Sequence, residues 1–235
     1  MIPSPSSLIR SRSHPLAPLE TGAAPHLPRL AGIRAVAFDI YGTLVVSGSG
    51  DIGVSDADQQ ECALRSILRD FEIVPPEVHP VLTERFVELI FRDHERSRAS
   101  GIKHPEIEVR DIWAQLLARE RDDLLETVAI AYECACNPVW PMLGARDLLA
   151  DLHQRGLTLG IVSNAQFYTP IMVEALFEDD LEHLGFDQEL CFFSYQFGEA
   201  KPGVSLYGKL RDALAHRKIS PSEVLYLGND ALKDI

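Results

Sequence analysis

Apolar residues follow two rhythms along this 235-residue chain. Short unbroken apolar runs bounded by turn residues predict buried strands of a parallel sheet, and three- to four-residue spacing predicts helices. The first run is Ala35, Val36, Ala37 and Phe38. It ends at an acid, Asp39, and turn-forming chemistry follows at Tyr41, Gly42 and Thr43. Residues 157–165, 191–195 and 223–230 repeat the form, and helical spacing fills 144–155, about 169–184, and 204–216. After the first strand the spacing stays helical for a long stretch. Ser55 is placed to cap a helix bearing Leu64, Ile67, Leu68 and Phe71, and three more helices are marked by Leu82 and Phe86, by Ile112 and Trp113, and by Leu125 and Val128. Asn137-Pro138 ends the pattern.

Strand and helix in alternation predict an α/β fold with a doubly wound parallel sheet, helices on both faces and right-handed crossovers. The organisation expected is a disordered leader over 1–30, rich in Ser, Pro and Arg, an α/β core over 31–50 and 138–235, and a strandless helical cap over 51–137. Trp113 is expected in the cap's core and Trp140, between Pro138 and Pro141, at the hinge between cap and core.

Composition narrows the function. The net charge is −13 and no long basic run stands out, which argues against nucleic acid. An acidic protein repels anions at long range, so an anionic substrate calls for local positive charge or a metal. No segment reaches the apolar length of a membrane span. Four cysteines without a secretory signal read as reduced thiols of a cytoplasmic protein, and their spacing gives no zinc site.

Each predicted strand leads to polar chemistry: Asp39, then Ser163-Asn164, then a loop with Lys201, then Asp230 with Asp234. In a parallel sheet these ends lie on one edge, where such folds bind ligands. A carboxylate can attack an electrophile covalently, a lysine can offset its charge, and a hydroxyl and an amide can hold substrate oxygens. Three carboxylates at one point repel unless a cation sits among them, and Mg²⁺ suits all-oxygen ligation.

FDIYGTLV, IVSN, Lys201-Pro202 and LGNDALKD resemble, in order, the four motifs of the haloacid dehalogenase superfamily of hydrolases, and the helical insert resembles its type-one cap. The resemblance spans about residues 33–235. It implies Asp39 as nucleophile, Ser163 as ligand of the substrate anion and Lys201 as charge neutraliser. It implies a metal held by Asp39, the backbone carbonyl of Tyr41, Asp230 and Asp234. Thr43, Tyr41, Asn164, Ser163 and Lys201 are the expected substrate contacts.

Two departures divide the reading. Phosphatases of this superfamily carry a second Asp two residues after the nucleophile, as general acid, and here Tyr41 stands there; a phenol is a poor donor at neutral pH. Asp-x-Tyr-Gly-Thr is similar to the 2-haloacid dehalogenase branch, which needs no metal, whereas the fourth motif looks like the metal-binding version. The chain also ends just after that motif, where the superfamily fold continues. The last strand is therefore expected to be missing, as in a fragment or an inactive short form, leaving an apolar edge that invites a homodimer. The leading expectation is Mg²⁺-dependent hydrolysis of a small anionic phosphoester through an aspartyl-enzyme. The alternatives are metal-independent carbon–halogen hydrolysis and a non-catalytic binding protein of the same fold.

Overall fold

The computed structural model describes residues 2–22, 24–48, 57–76 and 81–234. Its centre is strand β1 (Ala35–Phe38), buried along its whole length. On one side β1 pairs in parallel with β4 (Thr158–Ser163), which in turn pairs with β5 (Phe186–Phe193). On the other side it pairs in parallel with β6 (Val224–Leu227). The order is β5-β4-β1-β6, and Phe38 stands level with Ile161 on one neighbour and Leu227 on the other. The carboxyl ends of β1, β4 and β6 therefore emerge together, bringing residues distant in sequence to one edge.

Alternation along β1 divides the sheet's two faces. Ala35 and Ala37 pack with Leu206, Leu210 and Leu214 of helix α8 (Val204–His216), while Val36 and Phe38 join the larger core on the opposite face. That core includes Leu149 of α6 (Ala145–Gln154) and Met172 and Val173 of α7 (Tyr168–Phe177). Helix α7 is shorter than its apolar spacing predicts, because Glu178 takes a left-handed conformation at its end. Strand β5 begins earlier than residue 191; the polar run Asp187 to Glu189 hides its first half from a reading based on apolar runs.

The inserted helices are α2 (Ala57–Asp70), α3 (Leu82–Ala99), α4 (Val109–Leu117) and α5 (Asp123–Cys136). The cap expected at Ser55 lies outside the described residues. Helix α3 is held at its start by the Glu61 carboxylate, which accepts from the amides of Leu82 and Thr83 at 3.0 and 2.8 Å. Trp113 is buried among these helices, its ring centroid 4.9 Å from that of Phe86 and 5.4 Å from that of Tyr132. The insert touches the core through residues 104–109: the Glu106 amide donates to the Gly198 carbonyl, and the Gln166 side chain bonds both Glu106 and Ile107.

Two features depart from the sequence-based expectation. The leader contains a helix, α1 (Pro5–Arg12), capped by Ser4 and packed on α5 and α7 through buried Leu8 and Ile9. Two adjacent apolar residues suffice to dock it, too few to give a visible period. Two three-residue strands, β2 (Val45–Ser47) and β3 (Val139–Pro141), also form an antiparallel ribbon where the chain leaves and re-enters the core. Trp140 sits there, opposite Val46. Strand β6 lies at the sheet's edge, half-buried. Among the described residues no helix is long and apolar enough to cross a membrane.

Candidate active site

Asp39 follows β1 directly, and its amide donates to the carbonyl of Leu227 on β6 at 2.8 Å. The chain then turns tightly: the Ile40 carbonyl accepts from the amides of Thr43, Leu44 and Val45. Gly42 makes this possible with φ +79°, a conformation that costs other residues free energy. The Asp39 side chain is about 10% exposed. Its Oδ1 accepts from Ser163 Oγ at 2.7 Å and lies 3.0 Å from Lys201 Nζ. No contact among the described residues engages its Oδ2.

Lys201 is fixed at both ends. Its amide donates to Asn164 Oδ1 at 2.6 Å, and Asn164 Nδ2 donates to its carbonyl at 3.2 Å. Its ammonium, almost wholly buried, lies 2.5 Å from Asp234 Oδ1 and donates to Tyr226 Oη at 2.9 Å. Asn164 therefore spends its amide on Lys201. Thr43 Oγ1 is buried without a protein partner, which leaves its hydroxyl for a substrate oxygen or a water.

The Tyr41 phenol lies 3.0 Å from the hydroxyl of Thr169. Burial, reinforced by nearby Glu133, pushes its ionisation well above the ordinary range. It is a poor source of a proton for a leaving group.

The acids of the fourth motif separate. Asp234 turns inward to Lys201, and its Oδ2 accepts from the Asp230 amide at 2.9 Å. Asp230 turns outward: Oδ2 pairs with Lys233 at 2.9 Å and Oδ1 accepts from the Leu232 amide at 2.9 Å. The Lys233 contact, with that amide, holds its carboxyl below the usual range. The residue facing motif one is instead Asn229, whose amide lies over Gly42. Among the described residues, the only three acid, His or Cys side chains with ligand atoms within 4.8 Å of one another are Asp179, Asp180 and His183, away from this site. Asp230 thus stands apart from Asp39 and Asp234, and the charge between those two is the ammonium of Lys201.

Sequence reasoning missed Asn229 and Tyr226. Asn229 hides beside the more conspicuous Asp230, and Tyr226 reads as one more apolar residue of VLYL.

Residues 33–235 match the family described as haloacid dehalogenase-like hydrolase. The chain belongs to that family. Solved structures similar to this haloacid dehalogenase-like hydrolase include a HAD phosphatase from Thermococcus onnurineus (16% identity, covering 86% of this chain and 80% of that one, TM-score 0.47). They also include CbbY from Rhodobacter sphaeroides in complex with phosphate (16%, 85% and 79%, 0.45) and a dehalogenase (17%, 87% and 80%, 0.44). No curated protein matches the sequence. Hydrolases of this family commonly use Mg²⁺.

Proposed function

We propose that this hydrolase acts on a small anionic substrate through a covalent ester at Asp39, and that its leaving group departs without a proton. The carrying observation is the Asp39 carboxylate, held by Ser163 and Lys201 through one oxygen with the other left open. In the reaction, Oδ2 attacks the carbon bearing the leaving group, forming a C–O bond as the group leaves with its electron pair. Water then adds to the Asp39 carbonyl carbon. The hydroxylated product departs, the carboxylate returns and one proton passes to solvent. Lys201 offsets the nucleophile's charge throughout, Ser163 holds the nucleophile, and Thr43 offers a hydroxyl to the substrate. A 2-halo carboxylate meets these requirements. It needs neither an acid at Tyr41 nor a cation beyond Lys201.

The second reading is Mg²⁺-dependent phosphoester hydrolysis. It is favoured by the two carboxylates, Asp39 and Asp234, that flank one ammonium. One assay separates the two. The purified chain is given 2-chloropropionate and p-nitrophenyl phosphate, each with and without EDTA. Chloride release indifferent to EDTA is expected. Phosphate release abolished by EDTA overturns the leaving-group assignment in favour of the second reading. An Asp39→Asn variant as active as the parent overturns both.

A further inference from the structure

Lys201 is held at its backbone by Asn164, but its side chain reaches past Asp39 to a group outside the four motifs. Tyr226 is the third residue of β6, level with Ala37 of β1. Its ring meets that of Tyr207 edge-on at 5.5 Å. Its oxygen accepts from Lys201 Nζ at 2.9 Å, and its one hydrogen has two acceptors in reach, the carbonyl of Val162 at 2.9 Å and Asp234 Oδ1 at 3.2 Å. Val162 immediately precedes Ser163, so one phenol ties the lysine to both strands that flank β1.

An ammonium has three N–H groups and no acceptor. Around Nζ stand three oxygens: Asp39 Oδ1 at 3.0 Å, Asp234 Oδ1 at 2.5 Å and Tyr226 Oη at 2.9 Å. The Tyr226 and Asp234 oxygens accept hydrogen bonds from it, and Asp39 faces it as an ion pair. Two of these acceptors are charged and alone would draw the ammonium along the line between them. The third is neutral, and burial with Asp39 nearby keeps it so. Its position, fixed by β6 and Val162, sets where on that line the charge rests.

We propose that Tyr226 is a positioning residue of the hydrolase: its hydroxyl locks the Lys201 ammonium against Asp39. The proposal deepens the reading of Lys201 as charge neutraliser and rests on it for its catalytic consequence.

The test reads the lysine itself. The chain has five lysines, so ¹⁵N-lysine labelling of the full-length protein gives few ammonium signals, and loss of one in Lys201→Arg assigns it. Two hydrogen bonds and an ion pair in a buried site slow proton exchange with water, so the wild-type signal is expected to be sharp. In Tyr226→Phe its exchange is expected to rise tenfold or more, with kcat down about tenfold and KM within twofold. Tyr207→Phe, which alters the same aromatic pair but a hydroxyl bonded to the Lys233 carbonyl, is expected to leave the signal unchanged. An ammonium signal unchanged in folded Tyr226→Phe overturns the proposal, as do equal effects from the two variants. So does a wild-type Lys201 signal already in fast exchange, an outcome independent of how any variant folds. A protein that turns over none of the assayed substrates defeats the functional reading alone, because the exchange measurement still decides the role of Tyr226.

Discussion

The amide of Asn229 occupies the place where a Cβ on Gly42 would have to stand. The turn after Asp39 and the turn carrying Asn229 are packed against each other with no room for a methyl group. Gly42→Ala meets two costs, the collision and a left-handed backbone at φ +79°. Together these are expected to lower stability by about 2 kcal/mol and to reduce kcat. Urea denaturation followed by circular dichroism measures the first, and the assay described above measures the second.

Removing the charge of Lys201 has a larger effect. Asp39 and Asp234 have side chains only 10% and 6% exposed, and they share this one ammonium. Lys201→Met leaves two buried carboxylates facing each other, with an expected cost of about 3–5 kcal/mol at neutral pH. Urea denaturation at neutral pH measures the loss, and a difference below about 1 kcal/mol contradicts it.

Glu133 gives a separate handle on pH. It is a carboxyl of α5 that accepts from Asn137 Nδ2 at 3.0 Å and from the Tyr168 hydroxyl at 2.8 Å. Burial raises its folded-state pKa above the unfolded value despite those hydrogen bonds. The folded state therefore binds more protons, and stability from this group falls as pH climbs above the ordinary glutamate range. Glu133→Gln keeps the shape without a titratable proton. It is expected to be the more stable form at pH 8 and to converge with the parent near pH 4, as thermal melts across that range will read.

Ile9 tests the docking of the N-terminal helix. It is fully buried where α1 meets α5 and α7. Ile9→Ala is expected to cost about 2–4 kcal/mol, seen as a lower Tm. A change below about 0.5 kcal/mol in urea denaturation means α1 does not dock in solution.

Much of this architecture is legible in the chain because burial imposes a period. Ala35 to Phe38 and Thr158 to Ser163 read as strands, and Leu64, Ile67 and Leu68 as a helical face, because each must hide one side or both. Elements escape where burial is brief. Helix α1 hides two residues, and β2 and β3 span three each beside Pro138 and Pro141. The candidate site divides in the same way. Strand ends announce Asp39, Ser163 and Lys201, since a parallel sheet brings such ends together. Within a turn no period fixes which way a side chain points. The sequence alone therefore does not show that Asn229 faces Gly42 while Asp230 faces Lys233.

The ribbon of β2 and β3 has a consequence for how this fold can change over generations. Val46 lies opposite Trp140, and the Gly48 amide donates to the Pro138 carbonyl at 2.8 Å, so the two ends of the long insert are already joined before any of its helices contributes. Closing a flexible loop costs free energy only as the logarithm of its length, with each doubling adding about 0.6 kcal/mol. Residues could be added or removed between these stitched ends at little cost to the sheet that carries Asp39. The ribbon thus works as a seam at which the inserted helices can be exchanged while the sheet behind Asp39 stays as it is.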